Sequence, residues 1–285
     1  MQERKEQGML YLCATPIGNL EDITFRVLNT LKNADLIAAE DTRNSIKLLN
    51  HFEIKTPMTS YHEYNKYDKA SDLIRQIQNG KNVALITDAG TPAISDPGEV
   101  LVKMCCEAGV TVTSIPGACA CITALTLSGL PARRFCFEGF LPPDKKERKD
   151  ILSELTGETR TIILYEAPHH LVKTLRELLD MLGDRELSLC RELTKRHEEV
   201  RRTTISDAVS YYEETEPKGE FVLVINGKDR QDKKKQEQRD WLSMPITEHL
   251  ALYEQMGMDR KESMKLVAKD RGITKREAYQ KLLIK

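Results

Sequence analysis

Along residues 9–130, short continuous apolar runs alternate with segments whose apolar residues recur every three or four positions. The runs at 9–14, 35–39, 83–86 and 110–115 are typical of buried strands, and the segments between them are typical of amphipathic helices. Strands that alternate with helices in this way predict a mostly parallel sheet with helices on its faces. The helices predicted for this part span 23–31, 44–50, 67–78 and 100–106, and a fifth opens on residues 116–120 and runs to 128.

Two of these helices are preceded by residues that favour the start of a helix. Asp22 is placed to cap the helix at 23–31, and Asp96 and Pro97 are placed to begin the helix at 100–106. Aspartate is favoured at the N-cap because its side chain accepts a backbone N–H, and proline is favoured at the first helical position.

A break at residues 129–131 separates a second series of alternating patterns. We expect a second α/β half there, with a cleft between the two halves as the place for a ligand. The predicted strands of this half are 135–140, 160–166, 186–191 and 220–225, and its predicted helices are 145–155, 169–182 and 205–214.

Residues 227–285 no longer show alternating strand and helix patterns. Residues 227–240 predict a charged linker, and three short helices follow at 246–256, 261–270 and 275–283, with Asp259 and Thr274 as candidate caps. Gly272 in the turn between the last two gives a helix-turn-helix-like outline, which many small helical bundles share. The predicted division is therefore 9–130, 131–227 and 228–285, the last a small helical domain.

Composition agrees with a globular chain that has a real core, since 40% of the 285 residues are hydrophobic and 31% are charged. No apolar run is long enough for a membrane span, and the polar residues 1–8 lack a signal-peptide core. The seven cysteines show no C-x-x-C spacing, so we expect buried thiols in a cytoplasmic protein and no metal site.

Charge is unevenly distributed. Residues 227–285 hold 15 Lys and Arg against 10 Asp and Glu, a net +5 in a chain whose total is −1. A solvated linker explains the lysine run at 233–235, and a phosphate-contacting surface is the functional alternative, because basic side chains that neutralise phosphates release counterions.

Three loops follow strands of the first half: 15–19, 88–98 and 116–120. The carboxyl ends of parallel strands lie at one sheet edge, where ligands of α/β proteins bind. None of the loops matches the glycine pattern of a dinucleotide site or of a P-loop, so we expect a compact adenosine-like ligand.

Six segments of this chain, in order, resemble the tetrapyrrole-methylase-like superfamily and, more narrowly, the ribosomal RNA small subunit methyltransferase I family. The segments are 13–24, 39–43, 88–98, 115–118, 165–170 and 191–195. The resemblance implies a two-domain fold with a cofactor cleft, S-adenosyl-L-methionine as cofactor, and a homodimer. It also implies methylation of the ribose 2′-hydroxyl of a cytidine in the decoding region of 16S ribosomal RNA, within the small ribosomal subunit.

The resemblance places the cofactor on the three loops and one tyrosine. These residues are Pro16, Ile17, Asp88, Ala89, Gly90, Thr91, Ile94, Asp96, Pro116, Gly117, Ala118, Cys119, Ala120 and Tyr165. Thr91 departs from the family, whose loop commonly has an aspartate there, so Asp88 or Asp96 is expected to replace that acid. Tyr165 either walls the cofactor, stacks on a base or packs in the core.

Methyl transfer to a hydroxyl needs alignment of the oxygen and an acceptor for its proton. The candidate acceptors near predicted strand ends are Glu40, Asp41, Glu166 and Lys195, each of which could equally serve in a cap or an ion pair. The candidate phosphate contacts are Arg43, Arg191 and Arg196, because guanidinium groups bind phosphate oxygens in bidentate fashion.

The sequence leaves two other functions open. One is a methylase of a tetrapyrrole or of a modified protein residue, and the other is a non-catalytic RNA-binding protein that keeps the fold. The basic C-terminal region and the arginine-bearing loops favour RNA as substrate. Binding of S-adenosylmethionine would separate an enzyme from the non-catalytic alternative.

Overall fold

The apolar runs of the first half form five parallel strands in the computed structural model, which describes residues 7–283 apart from the side chains of residues 236 and 237. The polar segment at 1–6 lies outside the described residues. The strands are β1 (Met9–Cys13), β2 (Leu36–Ala39), β3 (Met58–Ser60), β4 (Val83–Ile86) and β5 (Thr111–Ile115). Their order is β3-β2-β4-β1-β5, and each neighbouring pair is parallel. The central β4 is buried throughout, which explains its continuous apolar sequence.

Helices and one short 3-10 turn (Leu20–Asp22) connect these strands. The helices are α1 (Phe25–Asn33), α2 (Thr42–His51), α3 (Lys66–Gln78), α4 (Gly98–Glu107) and α5 (Ala120–Ser128). The expected cap of α1 was wrong: Asp22 ends the 3-10 turn, and the Thr24 hydroxyl accepts the N–H of Val27 at 3.1 Å instead. Helix α4 begins one residue later than expected, with Pro97 rather than Asp96 at its N-cap.

The second half forms its own five-stranded sheet. Its strands are β6 (Phe135–Phe140), β7 (Thr161–Glu166), β8 (Glu186–Arg191), β9 (Glu199–Thr204) and β10 (Phe221–Ile225), in the order β6-β7-β10-β8-β9. Only β6 and β7 are parallel; the other neighbours are antiparallel. The sequence did not predict β9, because this edge strand is polar and none of its residues is fully buried.

Helices α6 (Lys145–Leu155), α7 (Pro168–Leu182) and α8 (Ile205–Glu214) cover one face of this second sheet with a large apolar core. The opposite face receives helix α5 of the first half, whose Ala124 and Leu125 pack with Ile163, Val222 and Val224. Because α5 packs there, the two halves share an apolar contact directly beside the end of β5.

Four helices complete the chain: α9 (Arg230–Ser243), α10 (Ile246–Gln255), α11 (Arg260–Asp270) and α12 (Lys275–Leu283). The linker prediction was wrong for residues 230–240, which lie in α9, capped by the Asp229 carboxylate. Helix α9 has no apolar stripe, so hydrophobic spacing could not reveal it. None of the helices within residues 7–283 is long and apolar enough to cross a membrane.

Helices α11 and α12 start as the sequence predicted. Asp259 accepts the N–H of Glu262, and the Thr274 hydroxyl accepts the N–H of Glu277 while the Glu277 carboxylate accepts the N–H of Thr274. This reciprocal pair is a capping box. Gly272 has φ of +64° in the turn between the helices, which favours glycine.

Candidate functional site

The three predicted loops meet at the carboxyl edge of the first sheet. Thr15 and Gly90 exchange two backbone hydrogen bonds, with N···O distances of 2.9 and 3.1 Å, and the Thr15 hydroxyl donates to the carbonyl of Thr87 at 3.2 Å. The Thr91 hydroxyl donates to the carbonyl of Ala118 at 2.9 Å. These bonds tie the loops after β1, β4 and β5 into one surface. The Thr91 hydroxyl therefore holds two of the loops together.

Close approach explains two of the loop glycines. Gly90 has φ of +85°, and a Cβ there would lie 3.2 Å from Cγ2 of Ile17. A Cβ on Gly117 would lie 2.7 Å from Cβ of Ala14, which is closer than two such carbons approach. Glycine lets the three loops converge without a shift of the backbone.

The loop at 88–98 contains backbone strain that one carboxylate supports. Ala93 and Ser95 have φ of +69° and +65°, a conformation that costs free energy for residues with a side chain. The Asp96 carboxylate accepts the N–H groups of Ala93 at 3.0 Å and of Gly98 at 2.7 Å. Burial raises the pKa of Asp96, against the effect of these hydrogen bonds.

A cleft of about 520 Å³ lies between these loops and the second sheet. The predicted site residues that line it are Ile17, Glu40, Asp88, Ala89, Gly90, Thr91, Ile94, Asp96, Cys119, Ala120, Tyr165, Glu166 and Lys195. The volume is that of a typical small-molecule or cofactor site. The structure thus brings most of the predicted residues to one place.

Other predicted residues lie outside the lining. Pro16, Pro116, Gly117 and Ala118 belong to the converging loops without facing the cleft, and Asp41, Arg43, Arg191 and Arg196 are also absent from its wall. The sequence missed Thr87, Ser95, Phe140, Ala167, Pro168, Cys190, Leu193, Glu220, Phe221 and Val222, which do line it. Several of these lie on strands of the second sheet, and only the unpredicted antiparallel order of that sheet shows which strand ends face the cleft.

Of the four candidate proton acceptors, Glu40 and Asp41 have different surroundings. Glu40 is half-buried in the cleft wall, where one carboxylate oxygen accepts the Thr87 hydroxyl at 2.7 Å. Asp41 caps α2 and binds the Arg43 guanidinium through both oxygens, at 3.1 and 2.8 Å. The hydrogen bonds from Arg43 lower the pKa of Asp41 to about 2, so this carboxylate is a poor proton acceptor at neutral pH.

Glu166 lines the cleft, but both of its carboxylate oxygens already accept hydrogen bonds from the protein. It is 6% exposed; one carboxylate oxygen accepts the N–H of Ala167 at 2.8 Å and the other accepts the hydroxyl of buried Thr174. The Arg148 guanidinium donates to the same hydroxyl at 2.7 Å. The Glu166 carboxylate therefore anchors the end of β7 to helix α7.

Two carboxylates stabilise the positive charge of the Lys195 side chain. Its Nζ donates to Glu192 at 2.9 Å and to Glu220 at 2.8 Å. Burial lowers the pKa of Lys195, but the two carboxylates outweigh burial and the pKa lies above its usual value. Lys195 is therefore charged at neutral pH and already paired with two carboxylates, so it is a poor proton acceptor.

Tyr165 is partly buried between the cleft and the apolar core. Its ring packs edge-on against Phe137 and Phe140, with centroids 5.0 and 5.5 Å away, and it also lines the cleft. Its hydroxyl accepts the N–H of Cys121 at 3.1 Å, and burial raises its pKa. Tyr165 thus packs in the core while forming part of the cleft wall.

The three candidate phosphate-binding arginines differ in exposure. The Arg43 side chain is 89% exposed although it pairs with Asp41, and Arg196 is exposed. Arg191 is half-buried and bound to the Glu199 carboxylate at 3.1 Å, so it supports the edge of the second sheet. Arg43 and Arg196 are the two that an approaching phosphate could reach.

Among the described residues, no three His, Cys, Asp or Glu side chains are grouped so that they could hold a metal ion.

Comparison with known proteins identifies the family. Residues 9–209 match the model of the Tetrapyrrole (Corrin/Porphyrin) Methylases. The chain belongs to this family. Its relatives include proteins named ribosomal RNA small subunit methyltransferase I: that of Halalkalibacterium halodurans is 49% identical over 278 residues, which cover 98% of this chain and 96% of the relative. That of Bacillus subtilis is 46% identical over 282 residues, with 99% and 96% covered.

Solved structures agree at the level of fold. Diphthine synthase superposes with a TM-score of 0.59 at 14% identity, covering 77% of this chain and 90% of that one. The predicted tetrapyrrole-methylase-like fold, with its additional C-terminal helices, is therefore confirmed, as is the more specific family resemblance. Tetrapyrrole methylases use S-adenosylmethionine, so the predicted cofactor is confirmed for this family member.

Proposed function

We propose that this tetrapyrrole methylase family member methylates 16S ribosomal RNA in the small ribosomal subunit, at the ribose 2′-hydroxyl of a cytidine in the decoding region. The observation that carries the proposal is the cleft between the two halves, in a chain that is 46–49% identical over nearly its whole length to enzymes named for small-subunit ribosomal RNA.

The cleft residues fit S-adenosylmethionine. The glycine at position 90 leaves room where three loops converge, since a Cβ there would press on Ile17. Ile17, Ile94 and Phe140 offer apolar surface to an adenosine ring system. The carboxylate of Asp88 suits the positive amino group and sulfonium of this cofactor.

When bound, S-adenosylmethionine supplies an electrophilic methyl group on sulfur. The protein has to align the 2′-oxygen and accept its proton, and Glu40 is best placed for the second task. Glu40 lines the cleft and is oriented by Thr87, whereas Glu166 is committed to hydrogen bonds and Lys195 is already protonated. General base assistance of this kind contributes about 10²–10⁴-fold in rate.

We expect the rest of the chain to serve RNA binding. Arg43 and Arg196 are exposed for phosphate, and α12 presents Lys275, Arg276 and Lys281 to solvent. Deleting residues 228–285 should weaken binding to small subunits and lower the slope of log affinity against log salt by about one unit per lost phosphate contact. An unchanged affinity and slope would exclude this role for the C-terminal helices.

We also expect a homodimer that acts in the cytoplasm. The seven cysteines are all free, which fits a reducing compartment. Light scattering of the purified protein measures the oligomeric state.

The deciding experiment uses small subunits that lack the modification, purified protein and S-adenosylmethionine labelled in its methyl group. Mass spectrometry of nuclease fragments should locate the label on the 2′-oxygen of one cytidine. Label on a base, or transfer to a tetrapyrrole but not to subunits, would overturn the proposal.

Glu40→Gln tests the assigned proton acceptor. It should lower kcat by about 10²–10⁴-fold and leave the affinity for S-adenosylmethionine nearly unchanged. Glu154→Gln, at an exposed position of α6, is the matched control with normal kinetics. A normal kcat in Glu40→Gln would remove Glu40 from the mechanism.

A further inference from the structure

Two cysteines lie together in the wall of the cleft. The sulfur atoms of Cys119 and Cys121 are 3.4 Å apart, and both thiols are free. Cys119 is partly exposed and lines the cleft, whereas Cys121 is 4% exposed and lies behind it. An accessible thiol with a second thiol directly behind it is the arrangement of a redox-sensitive pair, in which the second cysteine resolves the oxidised first.

We propose that Cys119 and Cys121 form a reversible oxidation site, in which the Cys119 thiolate attacks a hydroperoxide and Cys121 then closes a disulfide that blocks the cleft. The blocking of cofactor binding rests on the proposed function, and the thiol chemistry does not.

The surroundings of Cys119 favour its thiolate. Cys119 is the N-cap of α5, where N–H groups point outward. A hydrogen bond from the Cys121 thiol, with smaller contributions from the N–H groups of Ile122 and Cys121, outweighs burial and lowers the pKa of Cys119. The same pairing and burial raise the pKa of Cys121. Cys119 is the thiol that lines the cleft and can meet an oxidant there, whereas Cys121 lies buried behind it, so Cys119 is the nucleophile and Cys121 remains a thiol.

The reaction balances with hydrogen peroxide as the oxidant. The Cys119 thiolate attacks one peroxide oxygen, which forms an S–O bond, breaks the O–O bond and releases hydroxide, which becomes water on protonation. The Cys121 sulfur then attacks the sulfenic sulfur, an S–S bond forms, and the proton of Cys121 leaves with the hydroxyl as a second water. Two thiols and one peroxide thus give one disulfide and two waters.

The disulfide would alter the cleft through Tyr165. Closing the sulfurs from 3.4 Å to the ~2.05 Å of a disulfide pulls the first turn of α5. That turn holds the Cys121 N–H that donates to the Tyr165 hydroxyl, and Tyr165 lines the cleft. Cys119 itself also faces the cleft, so a ligand in it should shield the outer thiol from peroxide.

The test treats the reduced full chain with hydrogen peroxide and counts thiols after unfolding. The count should fall from seven to five, with a mass loss of two hydrogens in the peptide that contains both cysteines, reversed by dithiothreitol. Cys106→Ser removes an exposed thiol elsewhere and should show the same loss of two. Cys121→Ser should instead leave a sulfenic acid on Cys119 that dimedone traps.

Binding of S-adenosylmethionine to the oxidised chain should be lost and should return on reduction, and S-adenosylhomocysteine should slow the oxidation. A thiol count that stays at seven, or a disulfide that involves another cysteine, would overturn the site. A disulfide between Cys119 and Cys121 that leaves cofactor binding intact would overturn the blocking step. If the reduced chain itself bound no S-adenosylmethionine, the proposed function would fail while the thiol count still decided the oxidation site.

Discussion

Thr174→Val tests whether Glu166 anchors the fold or takes part in chemistry. Thr174 is 1% exposed, and its hydroxyl donates to the Glu166 carboxylate and accepts from Arg148 at 2.7 Å. Valine keeps the shape but leaves a buried carboxylate oxygen without this donor. Hydrogen bonds to charged groups are worth about 1.5–3 kcal/mol, so the free energy of unfolding should fall by about that amount.

The assay is urea unfolding followed by circular dichroism, with kinetics measured on the same protein. Thr126→Val is the control, because this hydroxyl is exposed and bonds only within its own helix, so its effect should stay within about 0.5 kcal/mol. Glu166→Gln should also destabilise the protein. If Thr174→Val were as stable as the parent and Glu166→Gln lost only kcat, the anchor assignment would be refuted and Glu166 would join the proton acceptors.

Two further predictions concern pH and packing. Burial and the adjacent Arg271 lower the pKa of His249 in the folded state, against the opposing effect of Asp270, so the unfolded state binds a proton first as the pH falls. The C-terminal helices should therefore lose stability below about pH 6.5. The fluorescence of the single tryptophan, which stacks on His249 at 4.0 Å, should report this, and His249→Gln should flatten the change. Gly18→Val should weaken S-adenosylmethionine binding in calorimetry, because a Cβ there collides with the loop at 193–195; unchanged affinity would show that the halves adjust freely.

The sequence was most informative where one physical signal dominates. The buried strand β4 and the amphipathic helix α7 were placed within a residue or so, because continuous apolar runs and 3.6-residue spacing leave few alternatives. Helix α9 and strand β9 were missed because both are mainly polar and owe their place to neighbours rather than to their own pattern. Local spacing cannot report a contact made far along the chain.

The candidate site also has a part that the sequence could predict and a part that it could not. The loops after β1, β4 and β5 could be brought together in advance, since parallel strands place their carboxyl ends at one edge. Glu220 and Val222 could not, because their approach to the cleft depends on the antiparallel position of β10 between β7 and β8. The roles of individual side chains were also hidden: the ion pair that makes Lys195 a cation joins residues 25 positions apart.

Backbone strain supports the location of the site independently of any resemblance. Within residues 7–283, the non-glycine residues with positive φ are Glu53, Ala93, Ser95, Glu192 and Thr194. All but Glu53 belong to the two loops, 88–98 and 192–195, that both contribute residues to the wall of the cleft. Each such residue costs of order 1–3 kcal/mol and persists only where its surroundings enforce it. Here the Asp96 carboxylate holds one loop, and the Glu192 carboxylate, which accepts the N–H of Glu220 and pairs with Lys195, holds the other. Strain concentrated in two loops that line one cleft lowers the stability of the chain, so we infer that the shape of the cleft is the reason for it.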